Sequence, residues 1–187
     1  MTAPMLSAGD LIQASDSDVP EIVALMNRAY RGIGTERGWS AETEYIDGDR
    51  TNAALLRQDM AAAQDAALLL WRRAAGEPGN ALLGCVWLEP LAGHVWYLGS
   101  LTIDPNVQDG GFGRTLLTAS ENWVRARGGR AVRMTVVNVR ESLIAWYVRR
   151  GYRLTGETEP FPYDNPRFGV PKRPDLCFVV LCKTLGV

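Results

Sequence analysis

The densest chemistry in this sequence lies in the run Gln108-Asp109-Gly110-Gly111-Phe112-Gly113-Arg114. Three glycines within four positions let successive backbone N–H groups turn toward one point. A helix that begins at once adds the positive end of its dipole. Such a turn can hold a phosphate or pyrophosphate by backbone alone, and Arg114 can add a charge-assisted contact. The spelling excludes two familiar phosphate loops. A P-loop needs Gly-Lys-Ser/Thr, which is missing, and Leu116 stands where a dinucleotide fingerprint needs its third glycine. An anion-holding turn or a plain glycine-rich turn remains.

Other reactive side chains are sparse. The three cysteines, Cys85, Cys177 and Cys182, each sit in an apolar run and read as small buried hydrophobes of a reducing compartment. With one histidine, His94, and no C-x-x-C pair, a metal site is not expected. A formal net charge of −1 excludes a global field for nucleic acid, so any anion site must be local. No basic-then-apolar leader and no apolar run near the roughly 18 residues of a membrane span is seen, so a cytoplasmic protein without membrane contact is expected.

These residues need a scaffold, and 187 residues, nearly half of them apolar, can build one single-domain core spanning residues 1–187. A short strand is expected at 11–14. An amphipathic helix should run from Pro20-Glu21 to Arg31, with Ile22, Leu25, Met26, Ala29 and Tyr30 on one face and glycines behind it. Residues 35–50 read as an acidic loop with a short helical turn, and residues 52–63 as a second helix. Three apolar runs follow, at 67–72, 82–88 and 94–103, and read as a mainly antiparallel meander. Gly99-Ser100 inside the last suggests a bulge. After the glycine turn, Leu116, Leu117, Ser120, Trp123 and Val124 share a helix face. A strand at 131–137, a helix at 140–150 and a strand from Tyr152 come next. A proline-rich loop, 160–174, leads to a last strand at 176–181.

At this point the chain resembles the GNAT N-acetyltransferase superfamily. That family carries Gln/Arg-x-x-Gly-x-Gly/Ala between its fourth strand and third helix, matched here by Gln108 to Gly113. Ser100-Leu101-Thr102-Ile103-Asp104-Pro105 looks like its lead-in strand. Val137-Asn138, Ala145, Tyr147 and Gly151-Tyr152 follow its second pattern in order. The likeness covers residues 96–157 well and the earlier elements loosely. It implies an α/β (α+β) fold: a mixed, mainly antiparallel sheet of six to seven strands, flanked by about four helices and splayed between the fourth and fifth strands.

The resemblance also implies a ligand, acetyl-CoA. Its pyrophosphate would sit on Gln108, Asp109, Gly110, Gly111, Phe112, Gly113 and Arg114. Its pantetheine would pair with backbone groups of Leu101, Thr102 and Ile103 in the splay. Asn138 would contact the pantetheine arm, and Tyr147 would bind near the sulfur and serve as general acid. Direct attack by an amine requires that the amine lose a proton and the departing thiolate gain one. Many relatives carry a carboxylate on the fourth strand, where this chain has Gly99 and Ser100. Glu89, His94, Ser100 and Tyr97 are the alternatives for moving that proton. A small-molecule amine is the preferred acceptor, drawn by the acidic 31–50 segment, with Phe161, Tyr163 and Phe168 as an aromatic wall. Protein lysine or N-terminal acetylation, a non-catalytic acyl-CoA-binding domain and a nucleotide-phosphate binder are the competing readings. Exposed strand edges leave room for a homodimer.

Overall fold

Leu68 and Leu70 point to one side of their strand and Leu69 and Trp71 to the other, and all four are buried. A strand apolar on both faces needs cover on both faces. The computed structural model, which describes residues 5–6, 10–32, 41–63, 65–73, 81–107 and 110–186, supplies it. Helices α1 (Val19–Arg31) and α2 (Ala53–Ala62) cover one face. Helices α3 (Phe112–Arg125) and α4 (Glu141–Val148) cover the other.

The sheet between them runs β1 (Ile12–Gln13), β3 (Ala67–Arg72), β4 (Leu82–Pro90), β5 (Val95–Ile103), β6 (Ala131–Val137), β9 (Cys177–Thr184) and β7 (Arg153–Pro160) in spatial order. Among these described strands only β5 and β6 pair in parallel, because α3 carries the chain back to the same edge. Two short strands, β2 (Ile46–Asp47) and β8 (Val170–Pro171), form a separate ribbon that joins the expected loops. Their pairing is long-range, so no local period announced it. In the family's count β5 is the fourth strand and β6 the fifth.

The local signals explain most boundaries. Pro20 and Glu21 open α1, and Gly32 closes it in the left-handed conformation at φ 62°. The Asn52 side chain caps α2 by accepting from the Leu55 N–H at 3.0 Å. Residues 35–40 of the expected acidic loop lie outside the described residues. The three cysteines are unpaired, and burial pushes the Cys85 thiol up to about 12, which leaves it unreactive. Among the described residues no helix is long and apolar enough to cross a membrane.

Helix α3 is pinned to the far end of the sheet by a buried polar cluster. Lys183 Nζ meets both Glu121 oxygens, at 2.8 and 2.7 Å, and Tyr152 Oη donates to Glu121 Oε1 at 3.0 Å. Glu121→Ala would orphan two donors beneath the helix. A loss of about 3 kcal/mol in urea unfolding is expected, with Glu121→Gln milder because an acceptor remains.

Candidate active site

The site begins where a ladder stops. Strands β5 and β6 pair only at Val95, Trp96 and Tyr97 against Ala131, Val132 and Arg133. Both strands then run on without pairing to each other, β5 to Ile103 and β6 to Val137. The cause is local. The β4–β5 register slips between Cys85 and Trp87, giving β5 one extra residue. Ser100 takes φ 49°, uncommon for a residue with a side chain, and its carbonyl accepts from Thr102 Oγ1 at 2.9 Å. Gly99 is required beside it. A Cβ there would lie 2.8 Å from the Tyr97 ring, which folds over the strand to place its hydroxyl 3.1 Å from Thr135 Oγ1.

Beyond that last polar bridge the strands enclose a cavity of about 310 Å³. Its walls include Leu98 to Leu101 of β5, Met134 to Val137 of β6, Leu143 and Tyr147 of α4, and Tyr30 and Arg31 at the end of α1. Helix α1 is held there by Arg28 on Asp104 at 3.0 Å and by Tyr30 Oη donating to the Leu101 carbonyl at 3.2 Å. The Asp104 N–H bonds to Leu83 in β4. Strand alternation therefore points the backbone groups of Thr102 to β4 and those of Leu101 and Ile103 away from it. Of these three residues, Leu101 lines the cavity, while Thr102 and Ile103 are buried.

Tyr147 is buried against Trp146 and Tyr152, and its side chain lines the cavity. Among the described residues its hydroxyl has no hydrogen-bond partner. Burial, reinforced by the neighbouring Tyr30, raises its pKa well above the ordinary tyrosine range, so it keeps its proton at neutral pH. Asn138 is engaged elsewhere. Its amide donates to the Asp175 carbonyl at 3.0 Å and accepts from the Cys177 N–H at 3.1 Å, extending the β6–β9 pairing, and it does not line the cavity.

Gly110 to Arg114 stand at the start of α3. Gly111 is the N-cap at φ 85°, and its carbonyl accepts the Thr115 N–H at 3.0 Å. Phe112 is buried against Trp71, ring centroids 5.3 Å apart, and anchors the turn to β3. Gln108 and Asp109 lie outside the described residues. The turn has a cationic neighbour absent from the sequence reading. Arg150 stacks on Trp146 at 3.6 Å, and Trp146 lies over Gly113. Burial, Arg149 and Arg114 together lower the Arg150 pKa, and its buried Nε has no hydrogen-bond partner. A guanidinium crowded by two other arginines beside a helix N-terminus fits a phosphate-bearing ligand.

The four groups considered for moving a proton separate cleanly. Tyr97 and Ser100 line the cavity. Glu89 does not, and accepts from Trp87 Nε1 at 3.2 Å; His94 is exposed in the β4–β5 turn. Of the acids read in residues 31–50, most of those described face away from the cavity. Glu44, Asp47 and Asp49 are exposed, and Asp47 pairs with Lys172 at 2.7 Å. Glu42 alone of the described acids in that segment lines the cavity, and arginines hold both its oxygens: Arg31 at 2.7 Å and Arg140 at 3.2 Å. Of the expected aromatic wall, Phe161 and Phe168 line the cavity, joined by Phe178, whereas Tyr163 is spent on the Leu176 N–H at 2.7 Å.

A mixed seven-stranded sheet parted beside a glycine turn at a helix N-terminus has the architecture of an acetyl-transferring enzyme. The sequence model of the Acetyltransferase (GNAT) family matches residues 25–152, and the chain belongs to that family. Solved structures share the fold. A GNAT-family acetyltransferase from Staphylococcus aureus Mu50 superposes with a TM-score of 0.63 at 13% identity, covering 94% of this chain and 98% of that one. A ribosomal-protein-alanine N-acetyltransferase from Brucella melitensis gives 0.64 at 20% identity, over 94% and 99% of the two chains. A GNAT-family acetyltransferase from Elizabethkingia anophelis, solved with acetyl-CoA bound, gives 0.58 at 18% identity, over 71% and 82%. Comparison with curated protein sequences gives no match.

Glu42 links the end of α1 to the first turn of α4 across the mouth of the parted strands. Its replacement by alanine leaves two buried guanidinium groups without their shared carboxylate. Glu42→Ala is expected to lose roughly 3–5 kcal/mol of stability, measured by urea denaturation, while Asp49→Ala on the same loop stays within about 0.5 kcal/mol of wild type.

Proposed function

We propose that this acetyltransferase moves an acetyl group from acetyl-CoA to the primary amine of a small molecule, with Tyr147 as general acid. The observation that carries the reading is the Tyr147 hydroxyl, protonated and unpartnered among the described residues, on the wall of the cavity where β5 and β6 part. The family match and the acetyl-CoA bound to the Elizabethkingia relative support the choice of donor.

The residues fit that donor in two places. Gly110, Gly111, Gly113 and Arg114, with Arg150 beside them, would hold its phosphates; Gln108 and Asp109 complete the turn in sequence. The outward backbone groups of Leu101 and Ile103 would hold its arm, with Thr102 keeping the strand in register. We leave Asn138 out of this set because both ends of its amide are engaged. Acetyl-CoA supplies an electrophilic thioester carbon and a thiolate leaving group. Tyr147 holds a proton at Oη and delivers it to the departing sulfur, and its raised pKa keeps that proton in place until the thiolate forms. Ser100 and Tyr97 are placed to pass the amine's proton toward solvent. Leu98, Val136 and Phe161 exclude bulk water from the apolar part of the cavity. A cavity of about 310 Å³ walled by Phe161 and Phe168 suits a small acceptor better than a polypeptide segment.

Thiol release from acetyl-CoA across a panel of primary amines and peptides tests the reading, and turnover with peptides alone would sink it. Tyr147→Phe should lower kcat by about 10²-fold or more while calorimetry shows an unchanged affinity for acetyl-CoA. A wild-type kcat in that variant would remove Tyr147 from the chemistry. Burial holds the tyrosine above its ordinary pKa, so the rate should not fall on the alkaline side below about pH 10. An alkaline loss beginning near neutrality would tell against a tyrosine acid.

A further inference from the structure

Arginine, not acid, dominates the charged part of the cavity wall at the α1 end. Arg31, Arg50 and Arg140 all line it, and Glu42 is the carboxylate set among them. Arg31 is locked in place, with Nε on the Gly48 carbonyl at 2.7 Å and Nη1 on Glu42 at 2.7 Å. Arg140 is only 9% exposed, yet it makes a single side-chain hydrogen bond, Nη1 to Glu42 at 3.2 Å. Its Nε and Nη2 have no partner among the described residues. Arg50 stacks over the Tyr30 ring at 5.1 Å, and no carboxylate among the described residues pairs with it. The other acid on the wall, Glu159, shares Arg133 with Glu157, at 3.0 and 3.1 Å.

Three guanidinium groups thus face one glutamate at this end, and with Glu159 counted the cavity wall keeps an excess of one positive charge, with Arg140 and Arg50 the least compensated. Desolvated cations with unmet donors are costly unless an anion completes them. The planar fork of arginine matches a carboxylate in particular. Phe161, Phe168 and Phe178 line the same cavity, so whatever brings the anion also presents apolar surface.

We propose that the acceptor is an amine that also bears a carboxylate, an amino-acid-like molecule with an apolar body, whose carboxylate docks on Arg140 and Arg50. This rests on the small-amine reading above and narrows it. It also reverses what the acidic loop suggested, since a purely cationic acceptor would be repelled by this wall.

The test is a set of matched acceptors: L-phenylalanine, L-phenylalaninamide and phenethylamine, with the corresponding leucine series. They are assayed by CoA release with the full-length protein and by calorimetry in the presence of CoA. The carboxylates should be preferred in kcat/KM by at least about tenfold over their neutral partners, the scale of one charge-assisted contact. Arg50→Gln should collapse that preference through KM and leave the affinity for acetyl-CoA unchanged. It spares the Glu42 network, so it serves if Arg140→Gln fails to fold. Equal or better turnover of the amides and decarboxylated amines overturns the proposal and leaves acetyl transfer to small amines standing. An Arg50→Gln defect in acetyl-CoA binding with the carboxylate preference intact also overturns it. If no amine turns over, calorimetry decides: carboxylate binding that is lost in Arg50→Gln upholds the anion site and removes the small-amine reading, and no carboxylate binding removes both.

Discussion

The parting of β5 from β6 is the constraint on which the site depends. A parallel ladder that continued past Tyr97 would close the sheet and leave no room between its strands. It stops because β5 carries one extra residue at Ser100, which turns the strand out of register with β4 and away from β6. Everything that lines the resulting cavity was brought there to cover the gap. Helix α1 delivers Tyr30 and Arg31, α4 delivers Tyr147, and the loop after β7 delivers Phe161 and Phe168. The strained Ser100 conformation persists because Thr102, Tyr97 and Tyr30 all bond to or fold over the same few residues.

Charge is distributed by the same logic. A chain with net charge −1 sets small groups of arginines at two places, beside the glycine turn and at the α1 end of the cavity. At the turn, helix α3 contributes its dipole and Arg150 a stacked guanidinium, so an anion is held without a basic surface. In the cavity, Glu42 restrains two of the arginines and fixes their geometry. A buried pair of this kind is a weak source of stability against an apolar alternative. Its value here is positional, since it holds Arg140 still with donors to spare.

Much of the scaffold was legible from local pattern. The runs at 67–72 and 131–137 match the observed strands residue for residue, and the capping residues Pro20, Gly32 and Asn52 mark helix ends because their chemistry is local. Gly99-Ser100 was readable as a bulge because poor strand formers inside an apolar run demand a reason. The β2–β8 ribbon was not readable: its two residues on each side gain their partners only across more than a hundred positions of chain.

The sequence by itself determined the helices, most strands, the glycine turn and the position of a tyrosine on the inner face of α4, because each follows from spacing within one element. Which acids and bases meet was decided only by the tertiary structure. Residues 31–50 look acidic as a string, yet folding turns Glu44, Asp47 and Asp49 to solvent and seals Glu42 between Arg31 and Arg140. Asn138 matched a family position and spends its amide on β9, while Arg150 matched no expectation and stands beside the turn. Charge along a sequence is a sum, but charge at a surface depends on which partners the fold places within a few ångströms, and those partners come from elements far apart in the chain.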